Sequence, residues 1–346
     1  MTKLPALASL SDIRSALKNL PGPDREMAAA AARREPQLTK PPGSLGRLEE
    51  LSAWLSQWQG FHPPRMDRPG AHVFAGNHGV VAQGVSAYPA AVTEQMVENF
   101  RLGGAAINQM CKTFNVGLGV EAMALDQPTA DFTQGPAMSE TEFVEAFVFG
   151  ANVMDDDLDV LCLGEMGIGN TTAAAAIGLA LYGGDARDWT GPGTGVEGEA
   201  LRSKMRAVQT AVETNRAAMA PGGQADGLEV LRCLGGRETA AIAGAVLGAR
   251  YRRIPVLLDG YVSTAAAAPL QTLAGDALHH CQVAHVSAEP AHRRLIEAIG
   301  KRALLDLGMR LGEATGAVLA VGTLRAAVNC HAGMATFAEA GVTDKE

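Results

Sequence analysis

The chain has 346 residues, 47% of them hydrophobic but only 5% aromatic, with 40 glycines and a formal net charge of -8. That length allows one large domain, or a domain with a smaller appendage. The acidic balance excludes a partner whose phosphates demand a basic face, so no nucleic acid is expected.

No apolar run reaches the ~18 residues needed to span a bilayer, and the N-terminal pattern is amphipathic, without a signal core. Cys111, Cys162, Cys233, Cys281 and Cys330 are widely spaced with no C-x-x-C pair. A soluble, cytoplasmic protein with reduced thiols and no membrane partner is therefore expected.

Residues 1–35 read as two helices, the first capped by Ser9 or Ser11, with the breaker PGPD (21–24) between them. After a turn at 40–46, Leu48, Leu51, Trp54, Leu55 and Trp58 recur at helical spacing and predict a core-facing helix. From about residue 70 the texture changes. Short apolar runs end in Gly, Asn, Asp or Ser and lead into helical patterns: AHVFAGNHG (71–79), DVLCLGEMGIGN (159–170), IPVLLDGYVS (254–263) and CQVAHVSAE (281–289). FNVGLGV (114–120) and AFVFGAN (146–152) are weaker strand candidates. This alternation predicts an α/β fold with a mostly parallel, Rossmann-like sheet and flanking helices. Residues 290–340 read as helical again and can join the N-terminal helices. The expected division is a small helical domain (1–60 and 291–346) and a large α/β domain (61–290) carrying the active site.

In such folds ligands gather where strands end, and the ends here carry Asn77-His78, Glu165, Asp259 and Ser287. Gly164, Gly167 and Gly169 precede Asn170, Thr171 and Thr172 at a helix start. Two readings fit: a tight turn capped by Asn or Thr, or an anion cradle of free N–H groups. The spacing is G-x-x-G-x-G, not the dinucleotide fingerprint, and no Gly-Lys pair follows. A second glycine turn (Gly191, Gly193, Gly195) leads into a helix bearing Lys204, and together the two turns and the lysine could hold a phosphate monoester. Taken alone, Lys204 reads as a surface residue.

Glu313 sits among Gly312, Ala314, Thr315 and Gly316. Burial there would raise its pKa and suit a general base; alternatively it pairs with Arg310, three residues earlier. Ser86, Tyr88, Gln95 and Met96 could form a flat apolar slot with polar edges, fit for an aromatic heterocycle, unless Met96 and Phe100 pack the core. His78 has no H-x-x-x-H pattern or paired carboxylate near it in sequence. His279, His280, His285 and His292 are likewise unsupported as ligands, and Asp155–Asp157 reads as a solvated turn, so no metal is expected.

Taken in order, KPPGSLGRLEELS, FAGNHGVVAQGVSAYPAAVTEQMV, LGEMGIGNTTAAAA, GPGTGV, GGRETAAIAGA, PVLLDGYVSTAAA, AHVSAEPAH and LDLGMRLGEATGA resemble the nicotinate-nucleotide–dimethylbenzimidazole phosphoribosyltransferases over about residues 40–320. The resemblance implies transfer of 5-phosphoribose from nicotinate mononucleotide to 5,6-dimethylbenzimidazole, without cofactor or metal, by a homodimer. It implies Glu313 as the base and Glu165 as a second site carboxylate. It places Lys204 on the phosphate with Gly167, Gly169, Asn170, Thr171, Gly193 and Gly195 nearby. Ser86, Tyr88, Gln95 and Met96 fall on the accepting base, and Asp259 and Ser287 near the phosphoribosyl group. Asn77 stands where many members carry Asp, and Pro192 lies inside the second glycine turn. A nicotinamide-dinucleotide oxidoreductase is the competing reading from the sheet and glycine turn; a non-catalytic nucleotide- or benzimidazole-binding relative is the other.

Overall fold

The computed structural model describes residues 3–343. Its strands are β1 (Pro69–Ala75), β2 (Gly117–Ala122), β3 (Val160–Met166), β4 (Val256–Leu258), β5 (Cys281–His285) and β6 (Ala303–Leu305). They form one sheet in the order β2-β1-β3-β4-β5-β6, with every neighbouring pair parallel.

Parallel strands covered on both faces need apolar side chains on both faces. β4 and the first four residues of β3 meet this condition, for Val160–Leu163 and Val256–Leu258 are apolar and fully buried. Leu161 and Leu163 point into one apolar cluster while Val160 and Cys162 point into the other, as a period of two requires. The first cluster is filled by the alanine-rich helices Asn170–Tyr182, Arg237–Arg252 and Tyr261–Leu273. The second is filled by Arg47–Gln59, with Leu51, Trp54, Leu55 and Trp58 buried, and by Thr315–Gly333. At the N-terminus Ser9 caps Leu10–Lys18 and Asp24 caps Arg25–Arg34.

The chain leaves β1 for the edge strand β2 and then returns across β1 to β3. Strand order therefore reverses direction between β1 and β3, which opens a crevice at the carboxyl ends of the strands. Among the described residues no helix is long and apolar enough to cross a membrane.

Two expectations from sequence are corrected. AFVFGAN is no strand; it completes the helix Glu140–Asn152, which starts with a reciprocal Ser139–Glu142 capping box. This helix packs on Arg237–Arg252 backbone to backbone. A Cβ on Gly244 would lie 1.9 Å from the Phe147 carbonyl oxygen, and one on Gly150 1.9 Å from that of Ala241. Capping and the small-residue seam outweigh the strand preference of Phe and Val. Nor is 290–340 helical throughout. β6 pairs with β5, Val283 opposite Ala303 and His285 opposite Leu305, so the sheet continues past residue 290.

Candidate active site

A cavity of about 260 Å³ lies at the carboxyl ends of β3 and β5 and beside Gly260, just beyond β4. Glu165, Gly167, Asn170, Thr171, Gly193, Gly260, His285, Ser287, Glu289 and Gly312 line it, with Tyr88, Arg310 and Leu311 exposed at its rim. A roomier depression, about 690 Å³, lies between residues 7–8 and the Glu140–Asn152 helix. It touches no strand end, and its only ionisable lining groups are Glu140 and Glu145. The strand-end cavity is where chemistry can be built.

Its most unusual property is a crowd of buried carboxyl groups. Glu165 is buried on β3 and accepts a hydrogen bond from the Asn170 side-chain amide. Burial, with Asp259, Glu238 and Glu313 nearby, pushes its pKa well above the carboxylate range, against that bond. Glu313 and Ala314 both take the left-handed conformation, at φ 64° and 63°. Two consecutive non-glycine residues there mark a strained turn of the kind that collects at functional sites. The turn is held against β3: Glu313 N–H donates to the Glu165 carbonyl at 3.2 Å. A Cβ on Gly164 would stand 2.0 Å from Ala314 N, so only glycine permits this approach. The Glu313 carboxyl is buried, its Oε2 has no hydrogen-bond partner, and burial with Asp259 pushes its pKa up to about 7. It does not pair with Arg310, whose guanidinium instead donates to the Gly193 carbonyl at 2.9 Å. Glu313 stands just behind the cavity wall, which its neighbour Gly312 supplies.

A cation lies behind the opposite wall, not lining the cavity itself. Lys204 is no surface residue: its long helix, Gly198–Met219, buries it, and Nζ donates to Thr171 Oγ1 (2.8 Å) and the Gly191 carbonyl (3.0 Å). Burial lowers its pKa to about 8, opposed by Glu289. The Glu289 carboxylate accepts from Gly193 N–H at 2.9 Å and leaves Oε2 unpartnered. Thr171 stands at the start of Asn170–Tyr182, whose positive end adds to the pull on an anion. Gly169, at φ 98°, is the cap of that helix, so neither Asn170 nor Thr171 caps it; Asn170 turns its side chain to Glu165 instead.

Of the residues singled out from sequence, Glu165, Gly167, Asn170, Thr171, Gly193, Tyr88 and Ser287 line the cavity. Ser86 lies one step behind, 3.2 Å from the Thr194 hydroxyl. Gly169 and Gly195 shape turns without lining it, and Asp259 is buried beneath it. Gln95 is exposed and Met96 half-buried on the helix Ala91–Arg101, and neither reaches the cavity. Asn77 gives its amide to the Leu125 carbonyl (2.9 Å), and the Pro192 carbonyl closes its turn by accepting from Gly195 and Val196 N–H, both at 3.0 Å.

His78 does have a carboxylate: Nε2 lies 2.7 Å from Glu238 Oε1 with both side chains fully buried. A partner 160 positions away leaves no trace in local spacing. His285, Glu289 and Arg310 also belong to the site. Position relative to a strand end could have flagged the first two, since His285 closes β5 and Glu289 follows four residues later. His280 and His292 are structural: burial pushes His292 down to about 3, and its Nδ1 accepts from Ser287 N–H at 2.8 Å.

The profile of the Phosphoribosyltransferase family matches residues 20–342. The nicotinate-nucleotide–dimethylbenzimidazole phosphoribosyltransferase of Rhizobium meliloti is 57% identical over 335 residues, covering 97% of each chain. That of Sinorhizobium medicae is 57% identical over 96% of this chain and 97% of its own. The crystal structure of the enzyme of the same name from Thermus thermophilus superposes with a TM-score of 0.85 at 41% identity, covering 93% of this chain and 100% of that one. Near-complete coverage at such identity, on the same α/β fold with the carboxylate-lined cavity at its strand ends, makes the chain a member of the nicotinate-nucleotide–dimethylbenzimidazole phosphoribosyltransferase family.

Proposed function

We propose that this phosphoribosyltransferase moves the 5-phosphoribosyl group of nicotinate mononucleotide onto 5,6-dimethylbenzimidazole, giving α-ribazole 5′-phosphate and nicotinate for cobalamin lower-ligand assembly. The observation that carries the reading is Glu313: a buried carboxyl with a free oxygen, poised near neutral pH beside the cavity. Nicotinate in its mononucleotide is a pyridinium. When the C1′–N bond breaks, the electron pair returns to the ring nitrogen and no acid is needed. The bare nitrogen of the benzimidazole bonds to C1′ from the opposite face, inverting it. Its N–H proton passes to Glu313, a transfer typically worth ~10²–10⁴-fold in rate.

Glu165 faces the positive charge that grows on the ribose, and arrival of a pyridinium favours its ionised form. Lys204, Thr171, Gly167, Gly169, Asn170, Gly193 and Gly195 make up the phosphate end in this reading. Ser287 contacts the ribose, and Tyr88 at the rim, with Ser86 one step behind it, meets the accepting base. A cytoplasmic homodimer acting on small molecules, not nucleic acid, completes it.

Incubation of the purified protein with nicotinate mononucleotide and a panel of benzimidazoles, purines and phenols, read by mass spectrometry, tests the proposal. Riboside phosphate with dimethylbenzimidazole is the expected result; no product with any base refutes it.

A further inference from the structure

Thr315–Gly333 begins at Ala314 in the left-handed conformation with no side-chain cap of its own, so its first N–H groups need an acceptor from elsewhere. Asp259, at the end of β4, supplies it. Ala317 N–H donates to Asp259 Oδ1 at 2.8 Å. Burial pushes the Asp259 pKa up, while His285 and the N–H groups of Ala317, Gly316 and Ala314 oppose this and favour its charge, although Oδ2 itself makes no full hydrogen bond. An anion at the positive end of a helix is stabilising for the same reason. The Asp259 side chain is only 1% exposed and does not line the cavity, although the next two residues, Gly260 and Tyr261, do. His285 closes the other side. Its Nδ1 lies 3.2 Å from the Val286 carbonyl and so carries the proton, which leaves Nε2 facing Asp259 Oδ1 at 3.7 Å.

We infer that Asp259 is a positioning residue for the base: it anchors the turn that carries Glu313 and presents its charge to that carboxyl, without touching substrate. This rests on the reading of Glu313 as the base. The titratable groups facing the pair are Glu165 and Cys162 from β3, His285 from β5 and, behind Glu165, Glu238. Asp259 adds to burial in pushing Glu313 upward. Neutralising it should therefore let Glu313 take the ionised, proton-accepting form at lower pH.

The test compares wild type, Asp259→Asn and Asp259→Glu in two measurements. One is kcat and KM for nicotinate mononucleotide between pH 5.5 and 9; the other is amide hydrogen exchange of the peptide covering 312–320. In Asp259→Asn the acidic limb of kcat should move down by about half to one pH unit. KM should stay within about twofold, and the amides of 314–317 should exchange several-fold faster. Asp259→Glu keeps the charge, so its limb should stay near wild type while kcat falls and the same amides loosen. A tenfold rise in KM with an unmoved limb would make Asp259 a substrate ligand and overturn the inference, as would an unmoved limb with unmoved exchange. If the amide variant does not fold, Asp259→Glu decides: unchanged kcat and exchange overturn it. Absence of product from wild type refutes the proposed reaction instead, and the exchange measurement still tests the anchor.

Discussion

Replacing Glu313 by Gln should cost activity and return stability, with a dependence on pH that can be worked out in advance. Its carboxyl titrates near 4.5 in an unfolded chain and at about 7 in the folded one. A group whose folded pKa is raised stabilises fully below the unfolded value and loses that contribution as pH rises through the folded value. The gap between 4.5 and about 7, at 1.36 kcal/mol per pH unit, sets the ceiling at roughly 3 kcal/mol. Glutamine cannot ionise. It also places an amide in a pocket where Oε2 already lacks a partner, which costs about 1–3 kcal/mol at every pH. The informative quantity is thus how the difference between variant and wild type changes with pH. Urea unfolding of both proteins at pH 5 and pH 8 should show the variant gaining about 1–3 kcal/mol on wild type between the two. In parallel, wild-type kcat should rise through a midpoint near pH 7, and the variant should turn over at least ~100-fold more slowly. Stability curves that run parallel from pH 5 to 8 would show that Glu313 titrates like an ordinary carboxylate, and the argument for a tuned base would fail with them.

Other substitutions probe the surroundings. Lys204→Ala should raise KM for nicotinate mononucleotide at least tenfold, and in wild type KM should climb above pH 8 as the buried ammonium loses its proton; a flat KM from pH 7 to 9 together with an unaffected variant would assign the phosphate to other groups. Glu238→Ala leaves His78 buried without its partner and should destabilise by roughly 2–4 kcal/mol in chemical unfolding, whereas a loss under about 0.5 kcal/mol would mean the pair contributes little. Gly164→Ala drives a methyl to 2.0 Å from Ala314 N, so kcat should fall at least tenfold as the Glu313 turn is displaced; wild-type kcat would show that the turn yields without consequence.

What sequence reveals about this site follows from how local each signal is. Glu165 and Glu313 stand out because each is an acid inside an apolar or glycine-rich run, and an acid so placed is costly unless it serves a purpose. The glycines at 164–169 announce close backbone approach for the same kind of reason. What escapes is whatever depends on residues distant in the chain. His78 and Glu238 meet only when the Arg237–Arg252 helix packs behind β1 and β3. Lys204 looks solvated on a helix rich in charge, yet the glycine turn at 191–195 folds over it. Asp259 marks a strand end in sequence, but only the fold shows that it caps a helix beginning 56 positions later. The misassigned stretch 146–152 is the same lesson inside the fold: Phe and Val favour a strand locally, and the glycines of a partner helix about 95 residues away decide otherwise.

The crowding of carboxylates has a consequence for the whole catalytic cycle. Asp259, Glu238 and Glu313 add to burial in raising the cost of ionising Glu165, and Asp259 does the same for Glu313, a strain sustained by the large apolar core around them. On the proposed reaction, the incoming nucleotide carries a positive ring, which relieves that repulsion on binding. At the transition state the positive charge spreads toward C1′, where the carboxylates continue to act on it. Once the bond has broken, the pyridine nitrogen is neutral and the departing nicotinate keeps only its own carboxylate. The same walls that attract the substrate ring then have no positive charge to hold in the product ring. A site of this kind distinguishes a pyridinium from a pyridine by charge alone, since the two have nearly the same shape. It thereby favours release of the leaving group.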